Sequence, residues 1–105
     1  MNDELRGHAL MTDELRASLP ALYATEDVPT GEKVVQVKFF SPYSGWTWYA
    51  VEFDGEDRFF GLVDGLEREW GYFHLSELEA VMFRDIVPAV ERDLYFEPTA
   101  IKDLD

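Results

Sequence analysis

Apolar and polar residues alternate through residues 34–40, with Val35, Val37 and Phe39 on one side and Gln36 and Lys38 on the other. That is the period of two expected of a strand with one buried face. Ser41-Pro42-Tyr43-Ser44-Gly45 supplies turn chemistry, and Trp46-Thr47-Trp48-Tyr49-Ala50-Val51-Glu52-Phe53 follows with the aromatic and β-branched residues that strands favour. Asp54-Gly55 marks a hairpin, because glycine tolerates the positive φ of a tight turn, and leads to a third strand over 58–63. Asp64-Gly65 repeats the dipeptide; 66–69 reads as a charged excursion and 71–75 as a short fourth strand. The economical topology is an antiparallel meander.

Helical signals flank this sheet. Thr12 is placed to cap a helix of about two turns, Asp13 and Glu14 suit its positive end, and Pro20 stops it. Residues 21–33, with Thr25, Pro29, Thr30 and Gly31, read as a loop into the sheet. Ser76-Glu77-Leu78-Glu79 has the form of a capping box, which predicts a capped helix over about 76–86. Leu78, Val81 and Met82 form the stripe that packs it on the sheet, and it ends before Pro88. Asp93-Leu94-Tyr95-Phe96 reads as a last short strand that Glu97-Pro98 breaks, leaving 99–105 as a frayed acidic tail. Met1-Asn2-Asp3-Glu4-Leu5-Arg6 is echoed by Met11-Thr12-Asp13-Glu14-Leu15-Arg16; two short copies make no solenoid, so 1–10 is an extension before a domain at 11–98. The expected fold class is α+β: an antiparallel meander sheet of four to five strands, a short N-terminal helix and one capped helix.

Composition narrows the chemistry. The chain of 105 residues has room for one core, and its 47% apolar content, with 15% aromatic, is that of a folding domain. No cysteine is present, so disulfides, thiolate metal sites and cysteine nucleophiles are excluded. No apolar run is long enough to span a bilayer and the first residues are acidic, so the expected location is cytoplasmic, with no membrane partner. The net charge of −13 argues against direct nucleic-acid binding, which requires cations against phosphates, and favours solubility or a basic partner.

Candidate chemistry is sparse, and no catalytic residue, metal site or cofactor is assigned. His8 and His74 are the only histidines, too few for a zinc site without further ligands, and a structural role for His74 outweighs one as general base. The densest carboxylate stretch holds Glu52, Asp54, Glu56, Asp57, Asp64, Glu67 and Glu69, seven acids against Arg58 and Arg68, for a local charge of −5. Alternate residues on a strand lie roughly 6.6 Å apart, comparable with phosphate spacing, so such a face is able to imitate a nucleic-acid strand. A solvated hairpin whose charges prevent edge pairing is the plainer alternative. Asp54-Gly55-Glu56-Asp57 lacks the ligand order of a calcium loop. Trp46 and Trp48 share a face and Tyr49 lies on the other; core packing is the first reading, stacking on a ligand the second.

Val37-Lys38-Phe39-Phe40, Trp46-Thr47-Trp48-Tyr49, Glu52-Phe53-Asp54-Gly55-Glu56-Asp57, Phe59-Phe60-Gly61-Leu62-Val63, Gly71-Tyr72-Phe73, Leu75-Ser76-Glu77-Leu78-Glu79 and Glu91-Arg92-Asp93-Leu94-Tyr95-Phe96-Glu97-Pro98 occur in unbroken order. Together they resemble the bacterial family filed as domain of unknown function 2958, over roughly 11–98. The resemblance implies a small stand-alone protein of plasmids, integrated elements and phages, without an activity or catalytic residues to carry over. That setting implies a counter-defence role of anti-restriction or anti-CRISPR type, in which an acidic protein occupies a basic groove of a nucleic-acid-binding host complex. The expected function is thus a non-enzymatic acidic interaction module for a basic protein surface, with the seven acids of 52–69 as its face. The alternatives are a small metal-dependent hydrolase using His74 and nearby carboxylates, and an accessory or assembly protein using its aromatic faces.

Overall fold

The computed structural model describes residues 3–104; Met1, Asn2 and Asp105, parts of the expected extension and tail, lie outside them. The described elements are α1 (Asp3–Arg6), α2 (Asp13–Ser18), a 3-10 turn at Thr30–Glu32, β1 (Val34–Val35), β2 (Val37–Phe40), β3 (Thr47–Phe53), β4 (Arg58–Asp64), β5 (Arg68–His74), α3 (Leu75–Ala80), β6 (Met82–Phe83), β7 (Val87–Pro88), β8 (Glu91–Arg92), β9 (Thr99–Ala100) and a second 3-10 turn at Ile101–Asp103. The fold is α+β, with a five-stranded sheet in the order β5-β4-β3-β2-β8. Strands β2 to β5 form the expected antiparallel meander, and β8 returns beside β2, pairing Phe39 with Arg92. Thr12 caps α2 as its sequence implies, its Oγ1 accepting the Leu15 amide at 3.2 Å.

Both faces of the sheet are covered, and a bulge in β3 decides what each carries. Ala50 pairs with Gly61, but Glu52, not Val51, pairs with Phe60, so Val51 is an inserted residue. Strict alternation places Phe53 opposite Ala50's side; the insertion returns Phe53 to it. There Phe53 stacks on Phe59 at 4.3 Å between ring centroids, and Phe59 on Phe73 at 5.1 Å. Val37, Phe39 and Ala50 complete that face, packed against Leu10, Met11 and Leu19 from the N-terminal segment and Leu75 and Leu78 from α3. The opposite face buries Val35, Tyr49, Val51 and Leu62 under Phe96, Ile101 and Leu104. Five consecutive residues, 49–53, are thereby buried in one strand, a pattern that a single buried face cannot produce.

Several expectations are corrected. Residues 34–40 are two strands: the Gln36 amide bonds Ala50 O at 2.9 Å, and Val34–Val35 pairs instead with Thr99–Ala100. Residues 68 and 69 belong to β5 and not to an excursion, because Asp64 pairs with Arg68 and confines the turn to 65–67. The helix expected over 76–86 is only Leu75–Ala80, and Ser76 does not cap it. Asp57, in the β3–β4 turn, takes both the Ser76 amide (2.8 Å) and the Ser76 hydroxyl (3.0 Å), so a carboxylate from a distant turn supplies the cap. Met82 and Phe83 then leave the helix to pair with Pro88 and Val87. Residues 93–96 form a turn and no strand, with Asp93 Oδ1 accepting the Tyr95 amide at 3.0 Å; the last strand of the main sheet is Glu91–Arg92.

The two chain ends are packed as well. In the segment read as an extension, Leu10 is 1% exposed, Arg6 Nε donates to Val90 O at 2.7 Å, and Ala9 O accepts from the Arg92 guanidinium at 3.0 and 3.2 Å. The packed unit therefore includes residues before Met11. In the segment read as a frayed tail, Ile101 and Leu104 cover the second face and Lys102 bonds Glu32 at 2.9 Å.

Two predictions follow from this packing. A Cβ on Gly61 would lie 1.9 Å from Tyr49 O and 3.2 Å from Ala50 Cα, whereas nothing lies within 4 Å of one on Gly71. Gly61→Ala is expected to destabilise the fold by about 3 kcal/mol or more, and Gly71→Ala to leave it within about 0.5 kcal/mol, read from urea unfolding midpoints. His8 Nε2 accepts the Arg92 amide at 3.0 Å and is therefore unprotonated. Burial, then the Arg92 and Arg6 cations, lower its pKa below the usual value. A base with a depressed folded pKa stabilises above its unfolded pKa, about 6.5, and loses that contribution as pH falls through the folded one. The unfolding midpoint should thus drop as pH is lowered below about 6.5, and His8→Asn should flatten that dependence.

Candidate acidic and aromatic trough

The seven acids of 52–69 do not form one face. Glu52 is 3% exposed, and its carboxylate accepts the amides of Tyr23 (2.7 Å) and Thr25 (3.0 Å) and the Thr25 hydroxyl. Its place as a partner-binding residue is corrected: it anchors the 21–28 loop, and because the β3 bulge turns it to the same side as Val51, it faces Phe60 rather than solvent. Tyr23, held there, has a φ of 70°, a left-handed conformation costly for a tyrosine unless local bonds fix it.

Asp54, Glu56 and Asp57 occupy the β3–β4 turn. Asp54 Oδ1 accepts the amides of Glu56 (2.8 Å), Asp57 (2.8 Å) and Arg58 (3.0 Å). These bonds, that of Glu56 foremost, hold its pKa below the usual carboxylate value. Asp57 is committed to Ser76, so both aspartates brace the fold and Glu56 alone of the three has no such task in view. Asp64 ends β4 beside the other turn, its Oδ2 3.2 Å from Arg68 Nε. The two turns cap opposite ends of the seven-residue β4, roughly 20 Å apart at the rise of a strand. A phosphate-like row over 52–69 is therefore not formed.

Glu67 and Glu69 do belong to a shaped surface. A concavity of about 600 Å³ is lined by Trp46, Val63, Leu66, Glu67 and Glu69. It shares Trp46 and Val63 with one of about 330 Å³ that adds Trp48, Tyr72, Phe73, Glu77, Leu78 and Val81. The two make a continuous trough between the meander and α3. Its floor follows from the register: Trp48, Val63 and Glu69 are cross-strand neighbours, and the next row, Ala50, Gly61 and Gly71, is small. Trp46 is 36% exposed and tilts against Trp48 at 6.0 Å between centroids. Gly65, expected to serve a positive φ, serves Trp46 instead, since a Cβ there would meet the indole at 2.6 Å. Three carboxylates, Glu67, Glu69 and Glu77, border the trough, and no lysine or arginine lines it.

The remaining chemistry is local pairing. His74 Nδ1 lies 2.7 Å from Glu77 Oε1, and its Nε2 accepts from Arg58 Nε at 3.3 Å. His74 lines none of the concavities described here, and among the described residues no group of three or more His, Asp or Glu side chains is placed to hold a metal ion. A hollow of about 400 Å³ lined by His8, Lys38, Phe40, Arg92 and Asp93 carries both signs of charge, with Lys38 Nζ 3.8 Å from Asp93 Oδ2. No helix among the described residues is long and apolar enough to cross a membrane.

Sequence reasoning placed Trp46 and Trp48 on one face and singled out Glu67 and Glu69, but did not join them and overlooked Glu77. The available signal was the register set by the Asp64-Gly65 turn, which brings Glu69 beside Val63 and Trp48. No curated protein and no solved structure matches the chain. A family model does match, over residues 10–102, under the description "Protein of unknown function (DUF2958)". The order of motifs along the meander is thus that of a family, and the chain belongs to DUF2958.

Proposed function

We propose that this protein is a non-enzymatic interaction module that binds a basic surface of another protein, with the trough around Trp46 as its contact face. One observation carries the reading: Glu67, Glu69 and Glu77 border an aromatic trough that no cation lines. A half-exposed tryptophan in a concave apolar setting is the kind of anchor on which interface energy concentrates. Carboxylates around it, on a chain of net charge −13, attract a cationic partner and repel an anionic one. The same charge disfavours a phosphate backbone as ligand. A basic groove of a host nucleic-acid-binding complex fits this chemistry and the mobile-element setting that the family resemblance implies.

The contact is expected to weaken steeply with salt and to be confined to the trough. Binding to a lysine-rich polypeptide, measured by calorimetry, should fall at least about tenfold between roughly 50 and 300 mM salt. The triple variant Glu67→Gln, Glu69→Gln, Glu77→Gln and the single Trp46→Ala should each weaken it by a similar factor, while Glu97→Gln, beside the Phe96 that covers the opposite face, should not. Salt-insensitive binding, or equal losses in all three proteins, would sink the reading.

A further inference from the structure

We infer that the partner enters as an extended basic segment that adds a strand to the free edge of β5; the inference rests on the proposed binding of a basic partner and specifies its form. The sheet ends in two unlike edges. At one, β8 is two residues long, the short edge by which folded proteins avoid pairing with other chains. At the other, β5 runs for seven residues in unbroken register with β4, and among the described residues no strand of the sheet lies beyond it. Alternate amides and carbonyls of such a strand point outward as a template for another chain. The usual protections are missing from its centre: Trp70, Gly71, Tyr72 and Phe73 include no charge, no proline and no bulge.

The two faces beside this edge state what an added strand should carry. On the trough side, Glu69 and Gly71 are alternate residues of β5, and the space above Gly71 is open, with nothing within 4 Å of a built Cβ. The row Ala50, Gly61, Gly71 thins the sheet toward the edge, so a large apolar side chain opposite Gly71 would fill the trough between Trp48 and Leu78. Two residues along the added strand, a lysine or arginine opposite Glu69 would meet that carboxylate. On the other side, Trp70 and Tyr72 flank Phe60, stacked at 5.6 Å and tilted at 5.3 Å between centroids; the chain's own Arg58 guanidinium lies over Tyr72 at 5.6 Å, so Trp70 is the ring left for an arginine of the added strand to stack upon. The match is therefore to a basic segment with an apolar residue two positions from a cationic one, held by main-chain bonds for affinity and by alternate side chains for selectivity.

The test separates strand addition from charge attraction with three synthetic peptides of the repeat Val-Arg-Lys-Arg, which sets valine two positions from lysine on one face and arginine on the other: the parent, one N-methylated at every arginine amide, and one N-methylated at every valine and lysine amide. Charge and side chains are the same in all three, but each methylated peptide loses the donors of one edge only. Strand addition predicts that one methylated peptide binds like the parent and the other at least about tenfold more weakly, and that the parent slows hydrogen exchange at amides of β5. Equal binding by the two methylated peptides, or protection at β8 in place of β5, overturns the inference and leaves the proposed function standing. Absence of binding by all three at low salt overturns both. A chain that sediments as a dimer with β5 amides protected before peptide is added assigns the edge to a second copy and also overturns the inference.

Discussion

One inserted residue in β3 organises the molecule. A strand alternates its side chains between two faces, so a run of buried residues longer than a few positions must serve both faces or change phase. Here it does both. Tyr49 and Val51 serve one face and Ala50 the other, and the bulge then sends Phe53 to Ala50's face while Glu52 stays with Val51. Two structures follow from that shift: the stack of Phe53, Phe59 and Phe73, and the carboxylate that gathers the Tyr23 and Thr25 amides. Beside the bulge the Tyr49–Ala50 backbone lies so close over Gly61 that any side chain there would collide with it. A glycine in mid-strand, ordinarily a loss of order and packing, is here what lets the two backbones approach.

What the sequence made legible is what depends on neighbours in the chain. Asp54-Gly55 and Asp64-Gly65 marked two of the meander's three hairpins, and the aromatic and β-branched runs around them marked three strands whose register those turns set. Thr12 capped α2 because its partner is three residues away. The failures share a distant cause. Ser76 has the spacing of a capping residue, but Asp57, nineteen positions earlier, is brought beside it by the β3–β4 turn and takes its amide and hydroxyl together. A carboxylate accepting two bonds outcompetes a hydroxyl accepting one. The chain ends read as loose because a short apolar segment such as Leu10 or Ile101 and Leu104 has no local reason to be buried; its reason is the uncovered sheet face.

The candidate site was half legible for the same reason. Residue types were readable: paired tryptophans, a dense set of acids. Their grouping was not, since seven acids close in sequence are distributed by two successive hairpins to a sheet interior and to turns at opposite ends. Glu52 went inside, Asp54 and Asp57 went to one bracing turn, and only Glu67 and Glu69 met the tryptophans. Glu77 joined them from α3, whose position Asp57 fixes. The acids that shape the trough are thus placed by acids that do not face it.

Charge and the open edge then bear on one another. A long apolar strand edge invites pairing with any extended chain, including a second copy, and natural sheets usually prevent this by shortening, bending or charging the strand. This sheet shortens β8 and leaves the centre of β5 uncharged. The protection lies instead in the rest of the molecule: two copies approaching edge to edge bring together charges of −13 each, a long-range repulsion that a cationic segment does not meet. Global charge can in this way do for β5 what local charge does for ordinary edge strands, with one difference. A lysine placed on the edge acts only at that point, whereas net negative charge acts on the whole approach and by sign: on the proposed strand addition it repels copies of the chain and attracts a basic strand. The acidity that first looked like simple solubility is, on this geometry, also what makes an unprotected edge tolerable.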